Sequence, residues 1–171
     1  MSETRTCRER LAPFCQGNGL DIGSGGDPIV PWAISVDRRR PGHLPAQQPI
    51  HLVGDAAHLV WFADGTLDFI YSSHCLEDFE DTAAAINEWL RVLKPGGVLV
   101  LFLPDQKTFM SVNLARGGDL NSDHKHADFS LAFILKLCGR PPLKYPVAVI
   151  HQLWPVPNNG YSFDLVLKKL P

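Results

Sequence analysis

The residues able to do chemistry begin at Gly19-Leu-Asp-Ile-Gly-Ser-Gly-Gly26, a short apolar run that carries an acid and opens into glycines. Gly23 and Gly25 lack a Cβ and accept positive φ, so the backbone can turn sharply there and a ligand can approach it closely. In an open α/β sheet the first strand-to-helix turn lies where nucleotide-like ligands bind. A tight turn explains glycines equally well on structural grounds alone, and the next acid tips the reading toward a ligand. Trp32-Ala-Ile-Ser-Val-Asp37 reads as a second strand ending on a carboxylate, the position from which ribose hydroxyls are held. His74 follows another apolar segment, Leu67-Asp-Phe-Ile-Tyr71, and its ordinary pKa suits a general base. It has a structural reading as well, packed under a covering loop with its ring on a backbone carbonyl. Glu77 either caps the next helix or holds His74 in one tautomer.

These groups need a scaffold, and the pattern supplies an α/β one. Residues 3–14 predict a leading helix that Pro13 ends. Strand one is Leu20–Ile22 and strand three Ile50–Val53, which runs into Gly54-Asp-Ala56. Gly23–Trp32 contains Pro28 and Pro31 and has room for a turn or so of helix at most. Arg38–Pro49 is broken by Pro41, Pro45 and Pro49 and cannot hold a helix either. After strand four, Ala83, Ile86, Leu90 and Leu93 recur at helical spacing within Asp81–Leu93, and Lys94-Pro-Gly-Gly97 stops that helix. Val98–Leu103, apolar throughout, suits the middle of a parallel sheet. Gln106–Asp128 reads as a long polar loop over the carboxyl edge of the sheet, a lid or substrate contact. Phe129–Leu137 predicts a further helix, and Val147–Leu153 with Tyr161–Leu167 a hairpin that gives the sheet an antiparallel edge.

This order of motifs resembles the class I S-adenosylmethionine-dependent methyltransferases, in particular their small members, over about residues 11–104. Leu20-Asp-Ile-Gly-Ser-Gly-Gly26 resembles the family's first motif, Asp37 its ribose acid, and Gly54-Asp-Ala56 the stretch that meets adenine. Leu67–His74 resembles its fourth strand, and Glu88-Trp-Leu-Arg-Val-Leu-Lys-Pro-Gly-Gly97 its helix-to-strand passage. The resemblance implies a Rossmann-like, mostly parallel twisted sheet with a C-terminal antiparallel hairpin and reduced helices after strands one and two. It implies S-adenosyl-L-methionine as cofactor, held by Asp21, Gly23, Ser24, Gly25, Asp37, Asp55, Ala56 and Ser72, with His74 as catalytic base. The acceptor it suggests is a small molecule with a hydroxyl or similar group, a sugar hydroxyl among them. A cofactor-binding module without catalysis of its own is the alternative. A dinucleotide site fits less well, because the sixth position of Gly-x-Gly-x-x-Gly is Pro28.

The bulk properties narrow the classes. The 171 residues suit one domain, and a net charge of −2 gives no case for nucleic acid or an anionic membrane. Cys7, Cys15, Cys75 and Cys138 are scattered, with Cys75 and Cys138 in apolar surroundings that predict buried thiols and a reducing compartment. No leader or membrane-spanning run is visible, so a cytoplasmic location is expected. His124 and His126 lack a third ligand nearby, so no metal is expected, and the Arg38–Arg40 run reads as a solvated loop. With so little helix beside strands two and three, Ala33–Val36 and Ile50–Val53 should expose apolar side chains. Either loop prolines and Trp32 fold down as an irregular cover or a second copy does, and a homodimer is the expectation.

Overall fold

Leu99–Leu103 are buried on both faces, and the strand that contains them lies in the interior of the sheet. A computed structural model describes residues 2–38, 49–119, 121–139, 141–157 and 159–171. The strands are β1 (Gly19–Ile22), β2 (Ile34–Asp37), β3 (Leu52–Val53), β4 (Leu67–Ser73), β5 (Leu93–Pro104), β6 (Val147–Leu153) and β7 (Ser162–Lys169). Their order across the sheet is β3-β2-β1-β4-β5-β7-β6. The first five run parallel, and β7 lies antiparallel between β5 and β6. The chain moves outward from β1 to β3 and then returns to place β4 on the other side of β1. That reversal opens a crevice at the carboxyl ends of β1 and β4, where ligands bind in such sheets. Gly23 and His74 follow those two strand ends.

One face of the sheet is covered by helices α2 (Thr82–Val92) and α4 (Leu131–Cys138). The predicted stripe of α2 is buried, with Ile86, Trp89 and Leu90 against Leu20, Ile22 and Ile70 of the sheet. Its cap is Asp81, whose carboxylate accepts from the Ala84 amide at 2.8 Å. At its other end Lys169 Nζ donates to the Leu90 and Leu93 carbonyls, both at 2.7 Å, and so satisfies groups that a helix terminus leaves open. The chain passes from α2 straight into β5, which begins at Leu93 rather than Val98.

The opposite face carries α1 (Thr4–Leu11) and a single 3-10 turn at Ala12–Phe14. No helix lies between Gly23 and Ala33. That loop is itself the cover: Ile29, Val30 and Ala33 are buried with Cys7, Leu11 and Cys15 against Phe69, Tyr71, Val100 and Phe102. The expected bare face is therefore closed over β1, β4 and β5, with Ala33 buried there, and Val36 is buried on the α2 face. Exposed apolar side chains remain at the β3 edge, at Trp32, Val53, Val60 and Trp61. The prolines at 41 and 45 lie outside the described residues.

Two further expectations need correction. Gln106–Asp128 is not all loop, because Gln106–Ala115 forms helix α3. Asp105 caps it, accepting from the Thr108 amide at 3.0 Å and the Thr108 hydroxyl at 2.7 Å. The helix has no sharp apolar stripe, and only Gln106 of it is buried, so periodicity could not reveal it. The fully buried thiols are Cys7 and Cys15, whereas Cys75 and Cys138 are half-buried; all four are free.

Candidate functional site

The turn after β1 requires glycine twice over at Gly23. Its φ is +73°, and a Cβ there would lie 2.8 Å from Cys75 Cβ. Gly25 has φ +55° and open space above it, with nothing within 4 Å of where a Cβ would stand. Its amide donates to Asp37 Oδ2 at 2.8 Å, while Asp37 Oδ1 accepts from the Arg38 amide at 2.7 Å. Turn and acid are thus one unit, with Gly23, Gly25, Asp37 and Arg38 lining a cavity of about 350 Å³. Arg38 lines this cavity and the smaller hollow beside it, so it belongs to the site's wall and not only to a solvated loop, and it stands 3.7 Å from Asp55. Arg39 and Arg40 lie outside the described residues.

The remaining predicted cofactor residues are placed differently from one another. Ala56 lines a smaller hollow beside the cavity, together with Gly54, Val36 and Phe79. Asp55 lines neither hollow; its carboxylate accepts from the Ala57 amide at 2.9 Å and meets His58 at 3.3 Å, which holds it below the usual range. Ser24 and Ser72 are buried, the first accepting from the Gly26 amide and the second donating to the Ile22 carbonyl. Asp21 is buried too, with Oδ2 accepting from the Ile29 amide at 2.6 Å and Oδ1 left without a partner. Burial pushes its carboxyl up to about 8. Asp21, Ser24 and Ser72 thus shape the turn from below.

On the other wall of the same cavity stands His74, at φ +46°, a conformation a non-glycine residue rarely holds. Its amide donates to the Phe102 carbonyl at 2.9 Å, and its Nε2 lies 2.9 Å from Ser162 Oγ. Glu77 is not a helix cap. It is buried, with both carboxylate oxygens unpartnered, and its Oε1 lies 3.7 Å from His74 Nδ1 and 3.7 Å from His124 Nε2. Burial pushes Glu77 up to about 8 and His74 down to about 3.

Phe109, Asn121, Asp123 and His124 line the cavity from α3 and the loop after it. His124 and His126 diverge. His126 Nε2 lies 2.9 Å from the Phe79 carbonyl and 3.1 Å from the Thr82 hydroxyl, which pins the loop to the start of α2. Among the described residues no group of His, Cys, Asp and Glu is arranged to hold a metal, and no helix is long and apolar enough to cross a membrane. Sequence reasoning missed Asp78, Cys75 and Phe109 as cavity residues. Asp78 could have been found, since it shares one short turn with His74 and Glu77; Phe109 could not, because its helix was unseen.

Residues 20–101, just under half of the chain, match the family model of a methyltransferase domain. A demethylmenaquinone methyltransferase of Beutenbergia cavernae is 31% identical over 96 residues, which cover 54% of this chain and 40% of that protein. A probable S-adenosylmethionine-dependent methyltransferase of Mycolicibacterium smegmatis is 30% identical over 113 residues, 59% of this chain and 44% of that one. The chain thus spans less than half the length of these curated relatives. In fold it is similar to the PH0226 protein of Pyrococcus horikoshii, with a TM-score of 0.71 at 18% identity, covering 99% of this chain and 92% of that one. The matched segment is thus similar to methyltransferase domains, the PH0226 likeness is one of fold alone, and the cofactor named for the Mycolicibacterium relative is S-adenosylmethionine. The residues fit it: a glycine turn open above Gly25, and the Asp37 carboxylate facing the same cavity.

Proposed function

We propose that the protein is an S-adenosylmethionine-dependent methyltransferase acting on a small molecule whose accepting heteroatom carries a proton, a hydroxyl or a similar group. One observation carries this reading: the Gly23–Gly25 turn with Asp37 and the residue His74 share one cavity at the point where strand order reverses. Asp37 is the acceptor for ribose hydroxyls, and the open face of Gly25 admits the cofactor's amino-acid end. Ala56 and Gly54 line the adjoining hollow, which suits adenine. The bound cofactor supplies a methyl group on a sulfonium, a leaving group good enough that positioning supplies much of the catalysis.

His74 serves as the base. With Nε2–H donated to Ser162 Oγ, Nδ1 is bare on the side of Glu77 and can take the acceptor's proton. Burial keeps the imidazole neutral at working pH, and an imidazolium formed 3.7 Å from Glu77 would draw that carboxyl toward ionisation and be stabilised by it. The small-molecule partner in this reading is the methyl acceptor, and the protein works in the cytoplasm. Trp32, Val53, Val60 and Trp61 at the β3 edge also support a homodimer, which sedimentation at micromolar concentration tests.

The lack of any helix between β1 and β2 favours a second reading, a cofactor-binding module without catalysis. Calorimetry with S-adenosylmethionine, followed by an assay for the demethylated cofactor in the presence of candidate acceptors, separates the two. Binding with turnover supports the enzyme, binding without turnover the module, and no binding refutes both.

A further inference from the structure

We infer that the hollow beside His74 is built to hold a protonated amine, which makes a small primary amine the methyl acceptor. The acceptor role rests on the methyltransferase reading above; the amine site itself does not. The argument begins with where the protons are. His124 Nδ1 lies 2.6 Å from Gln106 Oε1, and a carbonyl oxygen only accepts, so Nδ1 carries the proton. That leaves His124 Nε2 bare and 3.7 Å from Glu77 Oε1. Glu77 is 1% exposed, lines the cavity, and has no partner for either oxygen. When Nε2–H of His74 goes to Ser162 Oγ, His74 Nδ1 is bare as well, again 3.7 Å from Glu77 Oε1.

Two imidazole nitrogens and a carboxyl group therefore converge, and none of the described side chains makes a hydrogen bond to the carboxyl oxygens. Burial holds the proton on Glu77, which gives it up readily only when a positive charge stands beside it. An ammonium answers all of it at once, because it brings three N–H donors and a positive charge. A hydroxyl brings one donor and no charge. No metal-holding group is found among the described residues, so a cation of the organic kind is the fitting occupant. The upward push that burial gives Glu77 is what an ammonium beside it would reverse.

The carbon frame of the amine has a wall to lie on. Phe109 lines the cavity, its ring centroid 4.9 Å from that of His124 and 5.4 Å from that of Tyr161. The position is held from behind by the loop, since the Lys125 amide donates to the Glu77 carbonyl at 2.9 Å. In the transfer, one ammonium proton passes to His74 Nδ1 and frees the nitrogen lone pair. The nitrogen then forms its bond to the methyl carbon as the carbon–sulfur bond breaks and sulfur keeps that electron pair. The products are the N-methylated ammonium and the neutral thioether.

Phenethylamine and phenethyl alcohol test this, as a pair alike in shape and unlike in charge. Calorimetry should show the wild type binding the amine at least about tenfold more tightly than the alcohol. Glu77→Gln should erase that preference and leave S-adenosylmethionine affinity within about twofold. His124→Asn, on the loop and less central to the fold, should lose part of the preference. With cofactor and amine both present, mass spectrometry should find the N-methylated amine. Equal binding of both probes, binding of neither, or a preference that survives Glu77→Gln overturns the proposal. So does a Glu77→Gln protein that loses cofactor affinity in step with the amine, because Glu77 would then serve the cofactor. An amine that binds and is never methylated overturns the acceptor role. Amine preference without any cofactor binding would refute the methyltransferase reading and keep the amine site.

Discussion

Between pH 6.5 and 8 the fold should lose stability steeply, for reasons that can be followed group by group. Asp21 is 1% exposed, and one of its oxygens has no partner; burial pushes its carboxyl up to about 8. Glu77 is as buried and is pushed up to about 8 as well. An acid raised in the folded state keeps a proton that the unfolded chain has released, so stability falls as pH climbs from the unfolded pKa to the folded one. His74 acts in the opposite sense. Burial pulls it down to about 3, so stability rises with pH until the unfolded imidazole also loses its proton near 6.5. Below 6.5 the histidine offsets one acid; above it the two acids act alone. Each contributes about 1.4 kcal/mol per pH unit, so over about 1.5 units each removes about 2 kcal/mol and the pair about 4 kcal/mol. Urea unfolding followed by tryptophan fluorescence at several pH values in this interval measures the slope. Asp21→Asn keeps an oxygen for the Ile29 amide and cannot ionise, so it should halve the slope, and adding Glu77→Gln should flatten it. A wild type with constant stability over this range, or an Asp21→Asn variant with the slope unchanged, refutes the neutral buried carboxyl.

The site makes three further predictions. Asp37→Ala should weaken S-adenosylmethionine binding by about 1.5–3 kcal/mol in a calorimetric titration of folded protein, and unchanged affinity would take Asp37 out of the ribose site. His74→Gln should lower turnover about 10²–10⁴-fold with cofactor affinity kept, and a fully active variant would reduce His74 to packing. Gly23→Ala places a Cβ 2.8 Å from Cys75 Cβ at φ +73° and should cost about 1–3 kcal/mol in thermal unfolding, with cofactor binding weakened; a variant as stable as the wild type would show that the turn has slack.

Chemistry that rests on backbone geometry was legible in the sequence, and chemistry that rests on side-chain placement was less so. Gly23, Gly25 and Asp37 follow from turn and strand-end logic, and they line one cavity. The family resemblance added Asp21, Ser24 and Ser72 to the ligand's contacts. Position after or within a strand does not say which way a polar side chain points, and these three bond inward to backbone groups. Glu77 was given two roles by its spacing from His74, as a cap or as an orienting partner. Asp81 has the cap, and the 3.7 Å from Glu77 to His74 Nδ1 is longer than a hydrogen bond. The convergence of His124 on Glu77 joins segments 47 residues apart in sequence and depends on α3, whose apolar residues show no stripe for a periodicity argument to find.

The loop from Gly23 to Ala33 shows what replaces a helix when the chain is too short for one. A helix satisfies its own amides and carbonyls, whereas an irregular segment must find partners for its buried groups elsewhere. Here they come from side chains: Asp21 takes the Ile29 amide at 2.6 Å, and Ser24 takes the Gly26 amide at 3.3 Å. Arg8 of α1 takes the Asp27 carboxylate at 2.6 Å and the Pro28 and Ile29 carbonyls at 3.0 and 3.3 Å. Ile29 and Val30 then fill the groove that helix side chains would have occupied, against Cys7 and Leu11 of the same α1. The glycine turn therefore draws its rigidity from α1, which lies outside the segment 20–101 that matches the methyltransferase-domain model. The buried carboxyl of Asp21, unfavourable by itself, is held in place by the same requirement. It is the group beneath the turn that meets the Ile29 amide, so the pH sensitivity of the fold and the shape of the cofactor turn have one cause.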